Sequence, residues 1–208
     1  MRQSSKNNSR MCWVLKCDIR KFFASIDQRI LIGIVKRHIG DPDILWLIKE
    51  VMESFQSTGF GKGLPLGNLT SQLLVNVYMN EFDQFVKHQL RQKHYIRYAD
   101  DFVIMHPDRK VLIEILPRIS HFLDIQLKLY LHLDKVSLKT VSSGIDFLGW
   151  VHFPHHRVLR TSTKKRVFRN IRINRTKKET VQSYLGLLSH GNSWKLRQKV
   201  IILSYKYL

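Results

Sequence analysis

The feature that most constrains this chain is a pair of adjacent aspartates, Asp100 and Asp101, set between two short β-prone runs. His94 to Tyr98 and Phe102 to Met105 carry the β-branched and aromatic residues that suit a pleated, half-buried surface, and Ala99-Asp100-Asp101 joins them. The segment reads as a β-hairpin with two carboxylates at its turn. Adjacent like charges repel, so such a turn is costly unless solvent screens the acids or a cation lies between them. The fold must therefore contain antiparallel strands with an acidic end.

A third acid sharpens this reading. Residues 13 to 19, Trp-Val-Leu-Lys-Cys-Asp-Ile, form a strand-like run that ends on Asp18. Taken singly, each acid is better read as a solvated turn residue. Three carboxylates delivered to strand ends are instead a hard-oxygen donor set of the kind magnesium prefers, and paired magnesium ions clamp the attacking and leaving oxygens of an in-line phosphoryl transfer. Asp18, Asp100 and Asp101 are the candidate catalytic and metal-binding residues.

Local patterning places helices between these strands. Ser25 reads as an N-cap with Gln28 as its capping-box partner, opening a helix that runs to about His38 and stops at Gly40. Asp41-Pro42 starts a second helix running through Phe55. Gly59 to Gly67 holds four glycines and a proline, so it is a loop with exposed backbone. From Thr70, Leu74, Val77, Tyr78, Phe82 and Phe85 make a helical stripe to about Leu90. Pro107-Asp108 opens a further helix to about Leu123, after which Leu-Lys-Leu-Tyr-Leu-His-Leu-Asp alternates as a half-buried strand does. Phe147 to Val151 reads as a short strand and turn. Beyond it, 163 to 173, 180 to 188 and 194 to 207 read as helices, with Gly191 as a break.

Charge divides the chain. Residues 157 to 208 hold 14 Lys/Arg against the single acid Glu179, a net of +13, while residues 1 to 156 hold 21 against 15, a net of +6, together the chain's +19. A near-balanced body followed by a basic helical module suits chemistry in one part and a grip on a phosphate backbone in the other; a merely solvated basic face is the alternative. The domain boundary is expected at residue 156. Cys12 and Cys17 suggest neither a disulfide framework nor a metal site, and no apolar run is long enough to span a membrane, so a cytoplasmic protein is expected.

Four segments together carry a resemblance: Cys17-Asp18-Ile19-Arg20-Lys21-Phe22-Phe23, Gly63-Leu64-Pro65-Leu66-Gly67-Asn68-Leu69-Thr70-Ser71-Gln72, Tyr98-Ala99-Asp100-Asp101, and Phe147-Leu148-Gly149-Trp150. In this order they resemble the motifs of bacterial reverse transcriptases, over roughly residues 12 to 155. Where group II intron and retron enzymes carry Gln-Gly-x-x-x-Ser-Pro, this chain has Leu66-Gly67-Asn68-Leu69-Thr70-Ser71-Gln72, a form similar to that of diversity-generating retroelements, which copy a template RNA with frequent errors at adenines.

The resemblance implies an α+β polymerase palm, an antiparallel sheet with helices on one face, followed by a small basic helical thumb. It implies two magnesium ions, replaceable by manganese, held by Asp18, Asp100, Asp101 and the backbone of Ile19. Phe23 would lie under the sugar of the incoming nucleotide and exclude a 2′-hydroxyl, although a plain core aromatic is its simpler reading. Leu66, Gly67 and Gln72 would contact the nucleotide, with Leu66 policing the nascent pair less strictly than a polar side chain.

Lys135 would sit near the departing pyrophosphate, or be only a solvated lysine at a strand end. Tyr98, Phe147, Leu148, Gly149 and Trp150 would support the primer and template, the last four being also explicable as a core turn. Arg157, Arg160, Lys164, Lys165, Arg166 and Arg169 would straddle phosphates. The implied partners are an RNA template, a DNA or RNA primer, deoxynucleoside triphosphates and a small basic accessory protein that assembles as a ring; no membrane is involved. Reverse transcriptases carry a fingers region ahead of the first aspartate, and only 17 residues precede Asp18, so the chain is expected to be a truncated piece, a clipped open reading frame, or a minimal enzyme whose grip on the triphosphate comes from elsewhere. Two further readings stay open: a fingerless nucleic-acid-binding subunit or RNA chaperone, and RNA-templated RNA synthesis, which Phe23 disfavours.

Overall fold

A computed structural model of the chain describes residue 5, residues 9 to 54, residue 59, residues 61 to 65, residues 67 to 173 and residues 178 to 206. They form two compact units, one of residues 13 to 138 and one of residues 139 to 208 with residues 1 to 12. The division falls between Leu138 and Lys139, not at residue 156. β5 (Ile145–Phe147), β6 (Trp150–His152) and β7 (Arg157–Leu159) make one antiparallel sheet in the order β5-β6-β7, so residue 156 falls between two paired strands.

The larger unit is built on β1 (Trp13–Asp18), β2 (His94–Tyr98) and β3 (Asp101–His106), in a sheet of order β2-β3-β1-β4 whose last strand, β4 (Ser137–Thr140), begins at the end of that unit. Both pairings of the central β3 are antiparallel, with β1 through Trp13↔His106 to Asp18↔Asp101 and with β2 through His94↔Met105 to Tyr98↔Asp101. One face of the sheet is apolar: Leu15, Cys17, Phe102 and Ile104 enter a core with Leu31 of α2 (Gln28–Lys36), Tyr78 and Phe82 of α4 (Leu69–Gln84), and Leu112, Ile119 and Leu123 of α5 (Arg109–Leu127). Strand alternation then sends Lys16 and Asp18 to the opposite face. The short α1 (Phe22–Ser25) follows β1, and α3 (Pro42–Glu53) packs on α2. This mixed fold of helices and an antiparallel sheet agrees with the α+β expectation.

Local chemistry accounts for the helix ends. Asp41 caps α3 by accepting from the amides of Asp43 and Ile44, and Asp108 caps α5 by accepting from that of Lys110. The expected cap at Ser25 is not used. Asp27 is the N-cap of α2, accepting from the amides of Arg29 and Ile30, and Gln28 is turned into the interior. Asp27 stands three residues before Ile30, where the apolar stripe begins, so its carboxylate meets the first free amides of the helix. α4 runs into a π-helical turn at Phe85–Gln89, which continues the expected stripe to Leu90.

The segment after α5 is not the expected strand. Lys128 ends the helix with φ of 50°, and Leu129 and Leu131 are buried as the alternation implies, yet only Ile19↔Leu131 forms a bridge. The chain then tightens into a 3-10 turn at Leu133–Lys135. Tyr78 holds the end of α5 by donating to the Leu127 carbonyl at 2.6 Å.

The smaller unit stacks α6 (Thr161–Ile173), α7 (Lys178–Ser189) and α8 (Trp194–Lys206) around Trp150, Leu159, Val167, Ile171, Val181, Leu188 and Val200. Gly191 is required there, because a Cβ would lie 2.1 Å from the Trp150 ring. Among the described residues no helix is long and apolar enough to cross a membrane.

Candidate active site and nucleic-acid interface

The β2–β3 hairpin closes in two residues, Ala99 and Asp100, with Ala99 at φ of 52°. Pairing of β1 with β3 sets Asp18 directly opposite Asp101, and the Ile19 amide donates to the Asp100 carbonyl at 3.1 Å. Asp18 and the adjacent pair Asp100-Asp101, more than eighty residues away in sequence, thus meet at one sheet end. Burial, and then the neighbouring Asp18, raise the Asp100 carboxyl above the usual range, partly offset by its own backbone amide and by Lys135. Asp101 is raised by burial and by Asp18 and Asp100, against the pull of Lys16. Behind them, burial and the charge of Asp101 push the Cys17 thiol up to about 12, so it is an inert core group.

Two lysines answer this negative charge. Lys135 Nζ donates to Asp18 Oδ1 at 2.9 Å, and Lys16 Nζ lies 3.3 Å from Asp101 Oδ2. Lys16 was legible in principle, since it stands two residues before Asp18 and so shares its face of β1. Among the described residues, no three His, Cys, Asp or Glu side chains are gathered so as to hold an ion as they stand. The donor chemistry nevertheless fits a divalent cation: the oxygens are hard, the carboxyls are raised by one another, and Asp101 Oδ1 is buried without a hydrogen-bond partner.

The turn rests on a buttress that no sequence motif announces. Arg97 donates to both oxygens of Asp83, at 2.8 and 2.7 Å, Tyr95 donates to Asp83 Oδ1 at 2.7 Å, and Arg97 Nη1 reaches the Ala99 carbonyl at 3.3 Å. Asp83 lies on α4, so the fork joins the hairpin to the core helix. The Tyr95 hydroxyl is held well above its usual range by burial and then by Asp83, and it stays a donor.

Phe23 is half-buried against the core, edge-to-face with the buried Phe22 at 5.4 Å between centroids. Gly67 and Gln72 are exposed at the entry to α4, beside the exposed Leu69 and Leu73; Leu66 lies outside the described residues. Tyr98 is exposed at the end of β2. Lys135 sits on a 3-10 turn, not at a strand end, and its ammonium is held on Asp18.

In the smaller unit, Leu148 and Gly149 form the two-residue turn of the β5–β6 hairpin with φ of 53° and 81°, a geometry that suits tight hairpins. Phe147 and Trp150, expected to touch nucleic acid, are buried, each 6% exposed, and so shape the turn from below. Arg157 is likewise held, over the Trp150 ring at 5.2 Å and donating to the His190 carbonyl, and Arg160 pairs with Asp146 at 2.8 Å. Leu148, Gly149, Arg160, Ser162, Thr163, Lys165, Arg166 and Arg169 line an open groove of about 660 Å³. Lys164 is half-buried beside it.

The family model that describes the reverse transcriptase (RNA-dependent DNA polymerase) domain matches residues 1 to 152. This chain is a member of that family. Protein YkfC of Escherichia coli is 28% identical over 189 residues, covering 73% of this chain and 48% of that protein. The group II intron-encoded protein LtrA of Lactococcus lactis is 33% identical over 114 residues, covering 52% of this chain and 18% of that protein. The chain thus spans half or less of the length of these relatives. Among solved structures, telomerase from Candida albicans in complex with a fragment of telomeric RNA superposes with a TM-score of 0.61 at 13% identity, over 90% of this chain and 36% of that one. That likeness is one of fold.

Proposed function

We propose that this reverse transcriptase-family chain is an RNA-directed DNA polymerase that adds deoxynucleotides to a primer on an RNA template in the cytoplasm. The observation that supports it best is the register Asp18↔Asp101 at the Asp100 turn, which assembles three carboxylates from two distant segments. Asp18, Asp100, Asp101 and the Ile19 carbonyl would hold two magnesium ions, with manganese able to replace them, and these would supply charge neutralisation at the attacking and leaving oxygens. Lys135, already on Asp18, is long enough to turn its ammonium toward pyrophosphate and give up a proton there. Phe23 lies flat under the sugar and rejects a 2′-hydroxyl, and the entry of α4, with Gly67 and Gln72, meets the base and phosphates.

The exposed Lys165, Arg166 and Arg169 grip template and primer phosphates without reading sequence, with Leu148 and Gly149 as the neighbouring backbone surface. Leu66 to Gln72 in place of Gln-Gly-x-x-x-Ser-Pro supports a diversity-generating retroelement enzyme served by a small basic ring-forming protein. Primer extension on primed RNA tests the reading. Wild type extends with deoxynucleotides and magnesium, Asp100→Asn binds RNA but does not extend, and ribonucleotides are poorly used. Tight, salt-sensitive RNA binding with no extension under magnesium or manganese would instead favour a nucleic-acid-binding subunit.

A further inference from the structure

Gln28 is a polar side chain that the reading above leaves without a role. It stands in the first turn of α2 yet is only 6% exposed. Its Nε2 donates at once to the Met52 carbonyl, at 2.8 Å near the end of α3, and to the Gly63 carbonyl, at 3.0 Å in the glycine-rich loop. Both hydrogens of one buried amide thus hold carbonyls from two segments, the end of α3 and the glycine-rich loop.

Backbone bonds extend the tie toward Phe23. The Gln28 amide donates to the Gly61 carbonyl at 3.0 Å, the Gly63 amide to the Ile26 carbonyl at 2.9 Å, and the Leu64 amide to the Phe23 carbonyl at 3.0 Å. Asp27 and Lys62 form a bridge between them. Gly63, at φ of 94°, takes a conformation that suits glycine, which lets its carbonyl turn back toward the amide. The ring of Phe23 is therefore bounded on one side by buried Phe22, and its backbone is fixed by the loop that Gln28 anchors.

We propose that Gln28 is a positioning residue that sets the place of Phe23 relative to the loop and so determines how strictly the enzyme separates deoxynucleotides from ribonucleotides. The inference rests on the reading of Phe23 as the sugar gate. A loop free to shift moves the Leu64 amide, and with it the Phe23 backbone; a shift of a few tenths of an ångström is enough to admit an extra hydroxyl. Removing the amide donors cuts both side-chain ties; the Met52 carbonyl keeps the Ser54 amide within its own helix end, while the Gly63 carbonyl loses its hold on Gln28, which frees the loop without touching the carboxylates.

The test compares the full chain with Gln28→Met, which keeps reach and apolar bulk but has no donors, and with the milder Gln28→Asn. Amide hydrogen exchange without substrate reads the tether: exchange at Gly63 and Leu64 rises roughly tenfold or more in Gln28→Met, while β1 and β3 stay protected. Primer extension reads the gate: the ratio of kcat/KM for a deoxynucleotide to that for its ribonucleotide falls roughly tenfold, a ratio that a reduced folded fraction does not move. In a Phe23→Ala background the same substitution changes the ratio no further.

Unchanged exchange at Gly63 and Leu64 overturns the tether. Raised exchange with an unchanged ratio, or an equal drop in the Phe23→Ala background, overturns the link to the gate. If Gln28→Met does not fold, Gln28→Asn decides by the same two readouts. A wild type that extends no primer sinks the polymerase reading and the gate with it, whereas exchange still decides the tether.

Discussion

The two units of this chain use charge in opposite ways. In residues 13 to 138 each functional charge has one place: Asp18 faces Asp101 across a strand pair, Lys135 and Lys16 each hold one carboxylate, and Arg97 forks onto Asp83. In the smaller unit, Lys165, Arg166 and Arg169 repeat along the exposed side of one helix, around an open groove. The first arrangement stands or falls on single residues, because each neutralises a specific neighbour at short range. The second sums over several equivalent cations. The basic residues themselves divide, since Arg157 and Arg160 are tied to Trp150, His190 and Asp146 while Lys165, Arg166 and Arg169 are exposed.

Four measurements press on this contrast. The largest effect is expected from Asp18→Asn, which lowers the extension rate by about 10⁴-fold or more, the scale of removing one member of a catalytic unit, with RNA binding intact. A drop of only a few fold would place Asp18 outside the chemistry. Next, Arg97→Ala leaves Asp83 uncompensated and should cost about 3 kcal/mol of stability, read from the urea midpoint. Arg97→Lys keeps the charge without the fork and recovers only part of that loss; full recovery would mean that the bidentate geometry is unimportant.

In the smaller unit, Lys165→Gln, Arg166→Gln and Arg169→Gln should each reduce the slope of log affinity against log salt by roughly 1, additively, with the extension rate of the bound enzyme unchanged. Loss of all binding in one variant would break the additive picture.

The smallest effect is one of pH. Burial first, and then Arg157, hold the His152 imidazole below its usual value, against a hydrogen bond with the Phe147 carbonyl. The unfolded chain then binds the proton more readily than the folded one. Stability from this group is present above the unfolded value of about 6.5 and is lost as pH falls through it toward the folded value. His152→Gln should flatten the urea midpoint between pH 7.5 and roughly 5.5; an unchanged pH slope would remove His152 as the cause.

What could be read from the sequence follows from how local each determinant is. The hairpin at Asp100, the strand ending on Asp18, the caps at Asp41 and Asp108 and the exposed basic helix are set by short patterns, and the structure has each of them. The choice of Asp27 over Ser25 turned on competition between two neighbouring caps, which residue preference ranks only weakly. The run at residues 127 to 134 has the burial alternation of a strand, but ladder pairing depends on the neighbouring segment, and Ile19, just past the end of β1, gives it a single bridge. By motif, Phe147 and Trp150 are open to reading as a primer support or as a core turn; both are buried, Trp150 in the core of α6 to α8. The Arg97–Asp83 fork and the Gln28 tether join residues 14 and 35 or 24 positions apart, and no periodicity carries such a link.

The most direct test of the central claim is manganese binding by electron paramagnetic resonance, using the full chain with primed RNA and a non-hydrolysable deoxynucleoside triphosphate. If Asp18, Asp100 and Asp101 form one cation site, wild type binds manganese and Asp18→Asn and Asp101→Asn each lose roughly tenfold or more in affinity, with the RNA still bound. Equal manganese affinity in wild type and both variants would contradict it.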